Sequence, residues 1–186
     1  VDIEHLELHT SPFNYELLKA LAEREDSQYS YKNCYVCEVD GEEKYVIPMT
    51  GQGLWGGIWG YMAVNSDGNT IYGVYFSHAS ETPGLGAEIA TQTVQSKFAG
   101  KALYNAEGEF AVRMQKGGAQ NDHQVDAITG GTKTCDGVNA MLLTSVAKYE
   151  GFLKVVETKA EADVAEVEAP AAEGDETEEP AQENVE

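Results

Sequence analysis

Basic residues are scarce in this 186-residue chain: 12 Lys and Arg face 32 Asp and Glu, for a formal net charge of −20. Only Arg24 and Arg113 are arginines. So acidic a chain repels a phosphate backbone, which excludes a nucleic-acid partner. Cysteine is scarce too. Cys34, Cys37 and Cys135 are odd in number and too few for a disulfide framework. Cys34 and Cys37 have the spacing of a thiol-redox pair, but that motif works at a helix entrance, where the dipole lowers the thiol pKa. Here "NCYVCEVDGEEKYVIPM" reads as two strands about a turn at Asp40–Gly41. Residues three apart on a strand face opposite ways, which argues against a redox pair.

Long apolar runs are missing as well. None approaches the roughly 20 residues of a membrane span, and no secretory signal opens the chain. The first residue is Val1 rather than Met, and the expectation is a truncated or processed product. Aromatic residues are absent from Glu157 onward, where 12 acids and one Lys give −11 and leave −9 for residues 1–156. Such a segment buries too little apolar area to offset its ordering entropy. It is expected to be a disordered acidic tail, 157–186, whose first part continues the preceding helix at most briefly. Truncation after Lys154 is then expected to leave the melting temperature nearly unchanged.

What is present is one domain, 1–156, of α+β class: a twisted antiparallel β-rich core with flanking helices. "VDIEHLELH" alternates as a strand does, and Ser11–Pro12 opens a short helix with Leu17, Leu18 and Leu21 on one side. His5, Glu7 and His9 fit a solvated strand face, with no third strong metal ligand nearby. From Tyr31 to Phe76 the text is aromatic and β-branched, with "NSDGN" as a hairpin turn. Trp55 and Trp59 are expected in core or edge packing. A further strand is expected over "EFAVRM", and Val138, Met141, Leu142, Val146 and Tyr149 mark the buried stripe of a helix.

Two loops stand out because both combine glycine with small polar residues where a helix is expected to begin. One is "ETPGLG", Glu81–Gly86, ahead of a helix expected from about Gly86; the other is "DAITGGTKT", Asp126–Thr134. Thr at a helix N-cap satisfies an orphan N–H. The same donors, with the helix dipole, also attract an anion. Capping needs one hydroxyl and no paired glycines, whereas the second loop offers three threonines and two glycines. Lys133 is its only cation, which suits one singly charged phosphate better than several free charges. The residues alone leave both capping and a mononucleotide-like or flavin-like ligand open.

"GQGLWGGIWGYMAV", "DGNTIYGVYFSHASETPGLGAEI" and "DAITGGTKT", in this order over about Ile47–Tyr149, resemble the FMN-binding domain family. The similarity is to the branch formed by the C subunits of bacterial sodium-translocating NADH:quinone reductases, with the G subunits of RNF-type electron-transport complexes as cousins. The resemblance implies electron transfer through covalent FMN, installed by a flavin transferase as a phosphoester on the last Thr of an Asp-x-x-Ser/Thr-Gly-Ala-Thr motif. Asp126, Thr129, Gly130 and Thr132 match it, and Thr132 is the implied acceptor. Thr134 is the rival if the register shifts, and otherwise caps the helix. Gly131 departs from the usual Ala, and losing that methyl is expected to loosen the loop.

The resemblance also sets Glu81, Thr82, Pro83, Gly84, Leu85 and Gly86 against the flavin. Leu85 would pack on the ring, while Thr82 and the turn's N–H groups reach its polar edge. His78, beside the turn, is expected to be an ordinary hydrogen bonder. No catalytic residue and no metal are implied. The implied partners are the other membrane proteins of the complex and the transferase. The implied location is the periplasmic side of the inner membrane, held there by an N-terminal membrane helix that this chain lacks.

Overall fold

The computed structural model describes residues 34–168, with side chains described through Ala160. The strand expected over 1–9 and the helix expected over 11–24 fall outside the described residues, as does 169–186 of the expected tail.

Four strands form an antiparallel meander: β1 (Tyr35–Val39), β2 (Glu42–Gln52), β3 (Gly57–Asn65) and β4 (Ile71–His78), in the order β1-β2-β3-β4. The β1–β2 turn is at Asp40–Gly41, both with positive φ (54° and 82°), the conformation that Asp and Gly tolerate in tight hairpins. At the β3–β4 hairpin the Asp67 side chain accepts the N–H groups of Asn69 (2.9 Å) and Thr70 (2.8 Å), closing "NSDGN" as a turn.

Strand alternation sends Tyr45, Ile47, Met49, Ile58, Met62, Val74 and Phe76 into the main core. There they meet the stripe Val138, Met141, Leu142 and Val146 on the long helix α2 (Thr132–Val146), followed by Tyr149 just past its end. A short helical segment, α1 (Gln92–Gln95), lies earlier in the chain. Close contact between β2 and α2 requires glycine on both sides: a Cβ on Gly51 would stand 2.7 Å from Cβ of Met141, and one on Gly137 would strike the Gln52 carbonyl. Strand β2 therefore ends directly above the first turns of α2. The opposite sheet face buries Cys37, Val46 and Ala63 under Tyr35, Val39, Tyr72 and Tyr75.

Cys34 belongs to the main core and Cys37 to this second cluster, so the two thiols lie on opposite faces of the sheet. Both are free, burial pushes the Cys34 thiol up to about 12, and burial raises Cys37 as well. Thiols held protonated and apart do not make a redox pair.

The remaining strands are short. "EFAVRM" yields only β5 (Arg113–Gln115), which pairs in parallel with β6 (Gln124–Asp126). Asn139 of α2 accepts the Met114 N–H (2.7 Å) and donates to its carbonyl (3.0 Å), fixing β5 against the helix. The helix expected from Gly86 is instead a 3₁₀ segment, Gly86–Ala90, halted by extended Thr91 before α1 resumes. Helix α3 (Glu150–Glu168) crosses the boundary expected at 156, because its Ala, Glu and Lys are strong helix formers. Phe152, Leu153 and Val156 are buried in the main core, and Phe152 meets Tyr45 edge-on. Truncation after Lys154 would thus remove a core residue, contrary to the expectation that it leaves stability untouched.

Candidate functional site

A groove of about 270 Å³ opens where three segments meet: the β2–β3 tip, the 81–86 turn and the entrance of α2. Leu54 and Trp55 come from the tip, Glu81, Thr82, Leu85 and Gly86 from the turn, and Gly130 through Thr134 from the entrance. Sequence pattern alone singled out the last two segments as loops of similar kind. They are physically different.

At the α2 entrance, Gly131 occupies the N-cap position and no side chain caps the helix. Among the described residues, the first N–H groups of α2 therefore have no partner beyond what the helix itself supplies. Thr132, its first residue, is exposed at the groove, as is Lys133, which makes no ion pair among the described residues. Gly130 has φ +77°, and a Cβ there would lie 2.6 Å from Cδ2 of Leu85, so glycine serves both conformation and close approach. At Gly131 the space that the usual Ala methyl would take is partly filled. Cγ2 of Ile128 stands 3.0 Å from where that methyl would be, and its side chain fills the space.

Thr134 does not cap the helix either. It is almost fully buried, and its hydroxyl donates to Oε2 of Glu81 at 2.5 Å. Oε1 of the same carboxylate accepts the Trp55 N–H at 2.8 Å. Burial acts to raise the pKa of Glu81, but hydrogen bonds from Thr134 and from the Trp55, Leu54 and Gly56 backbone outweigh it and hold the carboxyl below its ordinary value. Glu81 thus pins the tip, the turn and the helix entrance to one another. Gly86 is needed beside it, since a Cβ there would collide with both the Thr134 hydroxyl and the carboxylate.

The 81–86 turn spends its donors on itself. Leu85 and Ala87 N–H go to the Thr82 carbonyl, Glu88 N–H to the Leu85 carbonyl, and Gly84 N–H to the Glu88 carboxylate. Nδ1 of His78 accepts the Glu81 N–H at 3.2 Å, so His78 is the hydrogen bonder expected of it. Within the turn, the Gly84, Leu85 and Glu81 N–H groups are thus committed to partners on the chain, and the segment presents a shaped wall to the groove.

Four of the residues singled out by sequence do not line the groove: Asp126, Thr129, Pro83 and Gly84. Exposed Asp126 accepts the Ala119 N–H (2.8 Å) and pairs with Lys97 (3.4 Å), and these contacts lower its pKa. Conversely, Leu54 and Trp55 line the groove, at a tip not counted among the expected site residues. Trp55 is 66% exposed and Trp59 41%, so of the core or edge packing expected for them the core is ruled out. The available signal was the string of glycines at 51, 53, 56 and 57, which folds an apolar tip back over Glu81. A Cβ on Gly53 would be 2.5 Å from Oε1 of that residue.

An antiparallel meander is thus backed by a helix whose uncapped entrance faces a largely apolar groove, an arrangement with room for an apolar ring and donors for an anion. The family model for the FMN-binding domain matches residues 53–146, which include all the groove segments, and the chain belongs to this family. It is 40% identical over 117 residues to the C subunit of the Na(+)-translocating NADH-quinone reductase of Neisseria meningitidis, covering 60% of this chain and 45% of the relative. With the C subunit of Pseudomonas aeruginosa it shares 38% identity over 131 residues, 66% of this chain and 50% of the other. The chain spans about half the length of the curated relatives it matches. The crystal structure of the C subunit from Parabacteroides distasonis superposes with a TM-score of 0.62 at 43% identity, covering 78% of this chain and 71% of that one. The Shewanella oneidensis structure gives 0.59 at 35%, covering 66% and 60%. The α+β class expected from sequence agrees with these structures.

Proposed function

We propose that Thr132 carries FMN as a phosphoester and that the domain relays electrons within a sodium-translocating NADH:quinone reductase, as its C subunit. The observation that carries this reading is the placement of Thr132. Its side chain is exposed at the groove, on the first residue of an uncapped helix, with unpaired Lys133 beside it. The rival, Thr134, is buried and already donates to Glu81, which disfavours it as acceptor.

The residues present fit FMN in two ways. Free N–H groups of α2 and Lys133 suit a phosphate, while Leu54, Trp55 and Leu85 offer apolar surface for a ring. A volume of about 270 Å³ lies just below the usual range of ligand pockets, roughly 300–1,000 Å³, so a bound ring keeps one side open toward a partner. FMN supplies the redox chemistry when attached, accepting and releasing electrons. The chain's part is to anchor the phosphate at Thr132, to shape the ring wall with Leu85 and Trp55, and to lock the three segments through Glu81. Asp126 and Thr129, exposed and away from the groove, along with Gly130, are what a flavin transferase would read on the loop. The neighbouring membrane proteins of the complex are the electron partners, and the domain works on the periplasmic side of the inner membrane.

Intact mass under denaturing conditions tests this. Co-expression with a flavin transferase should add the mass of FMN minus water, mapped to the peptide holding Thr132. An unmodified mass, or a label on another residue, refutes the assignment.

A further inference from the structure

Glu81 poses an electrostatic problem that its hydrogen bonds do not solve. The residue is 5% exposed, its carboxyl is held ionised, and every donor that reaches it is neutral. Among the described residues it forms no ion pair. Thr134 is the third residue of α2, so the charge lies within the helix's first turn, where the dipole is felt. A helix N-terminus is worth roughly half a positive charge. Lys133 adds one positive charge at the rim, and Glu81 subtracts one at the floor. What remains at the phosphate end is about half a positive charge.

We propose that Glu81 sets the charge selectivity of this end of the groove, so that it accepts a singly charged phosphodiester and disfavours a free phosphomonoester. This deepens the reading of Thr132 as the FMN carrier and rests on it. A free phosphomonoester carries close to two negative charges at neutral pH, and the second meets an uncompensated buried carboxylate. Esterification to Thr132 removes that second charge and adds a covalent tether. The domain therefore holds the attached cofactor and gives the free one little advantage from its phosphate over an uncharged flavin. Glu81 positions the groove walls and specifies the ester, without itself reacting.

The test uses the chain produced without a flavin transferase, so that Thr132 carries no ester, titrated with free FMN and with riboflavin at matched ionic strength. Flavin fluorescence reports both. Because the two ligands share the ring, a purely structural disturbance weakens both alike and leaves their ratio unchanged. In the unmodified wild-type domain the two affinities should lie within about threefold of each other, since little net charge faces the phosphate. Glu81→Gln keeps the shape and one acceptor oxygen but removes the charge, and should raise the preference for FMN about tenfold. A wild-type preference for FMN of about tenfold or more would overturn the proposal, and this arm needs no substitution to fold. So would an unchanged ratio in a folded Glu81→Gln variant, or no binding of either ligand to either protein. Failure of the Thr132 assignment is seen separately, in the mass spectrum of transferase-treated protein.

Discussion

The two loops that rim the groove look alike in sequence and do opposite work. Glu81–Gly86 commits its Leu85, Gly84 and Glu81 N–H groups to the Thr82 carbonyl, the Glu88 carboxylate and the His78 ring, and becomes a wall. Gly130–Thr134 leaves the entrance of α2 uncapped and its first hydroxyl exposed. Glycine and threonine in a loop thus do not define a binding site. What decides is where the backbone donors end up. The two loops meet at one bond, Thr134 to Glu81, which makes them a single unit with a passive side and an active side.

The sharpest way to break this comparison is to delete one hydroxyl from each member of the threonine pair. Thr132→Ala should abolish the FMN mass gain completely while leaving the melting temperature within a degree or so of wild type, because the side chain is exposed. Thr134→Val should do the reverse. It should retain the site of attachment yet cost about 2 kcal/mol, since a buried carboxylate loses its side-chain donor. Urea unfolding measures the second effect and intact mass the first. If Thr134→Val lost the label and Thr132→Ala kept it, the roles of the two loop positions would be exchanged.

Gly86 sharpens the same contrast from the passive side. Its φ is ordinary, but its missing Cβ is what lets the Glu81–Thr134 bond sit against the turn. Gly86→Ala should therefore destabilise by about 1–3 kcal/mol through overpacking, read as a lowered urea midpoint at unchanged m. A neutral result would mean that the turn can retreat from Glu81 at no cost, and that it is not a rigid wall.

Much of this was legible beforehand, and the reasons are local. Helical spacing places Val138, Met141, Leu142 and Val146 on one face, and all four are buried as patterned. The loop at 126–134 stood out through its three threonines and two glycines, which by themselves left capping and an anionic ligand both open. The fate of Glu81 was not legible. A carboxylate in a Pro/Gly turn reads as solvated, and nothing nearby in sequence reveals a donor 53 residues away. The helix expected at Gly86 failed because short-range bonds to Thr82 and Leu85 favour a 3₁₀ turn over α-helix. The exposure of Trp55 also depends on tertiary placement, set by how the glycine-rich tip folds over Glu81.

The acid limb of stability is a further separation between the two loops. Since the folded pKa of Glu81 is depressed, the stability it contributes is fully present above the ordinary carboxylate range and is lost as pH falls through the folded value. A Glu81→Gln variant should show a flatter decline in melting temperature at low pH than wild type. Asp126, lowered as well, is exposed and held by Ala119 and Lys97, so added salt should weaken the Lys97 part of its effect more readily. Parallel acid limbs for wild type and Glu81→Gln would mean that the buried carboxylate is not an acid-sensitive clamp.

The smallest expected effect concerns the two glycines with positive φ, one in each loop. Gly84 (φ +74°) has open space where a Cβ would go, whereas at Gly130 (φ +77°) the Cβ would run into Leu85. Alanine at 84 should cost only the left-handed backbone strain, about 1 kcal/mol. Alanine at 130 carries the same strain plus displacement of Leu85, and should cost more by a further amount of order 1 kcal/mol. The difference between the two substitutions isolates how firmly Leu85 is seated over the active loop, since backbone strain cancels. Equal losses would mean that Leu85 swings away freely, and the apolar wall of the groove would then be formed by Leu54 and Trp55 alone.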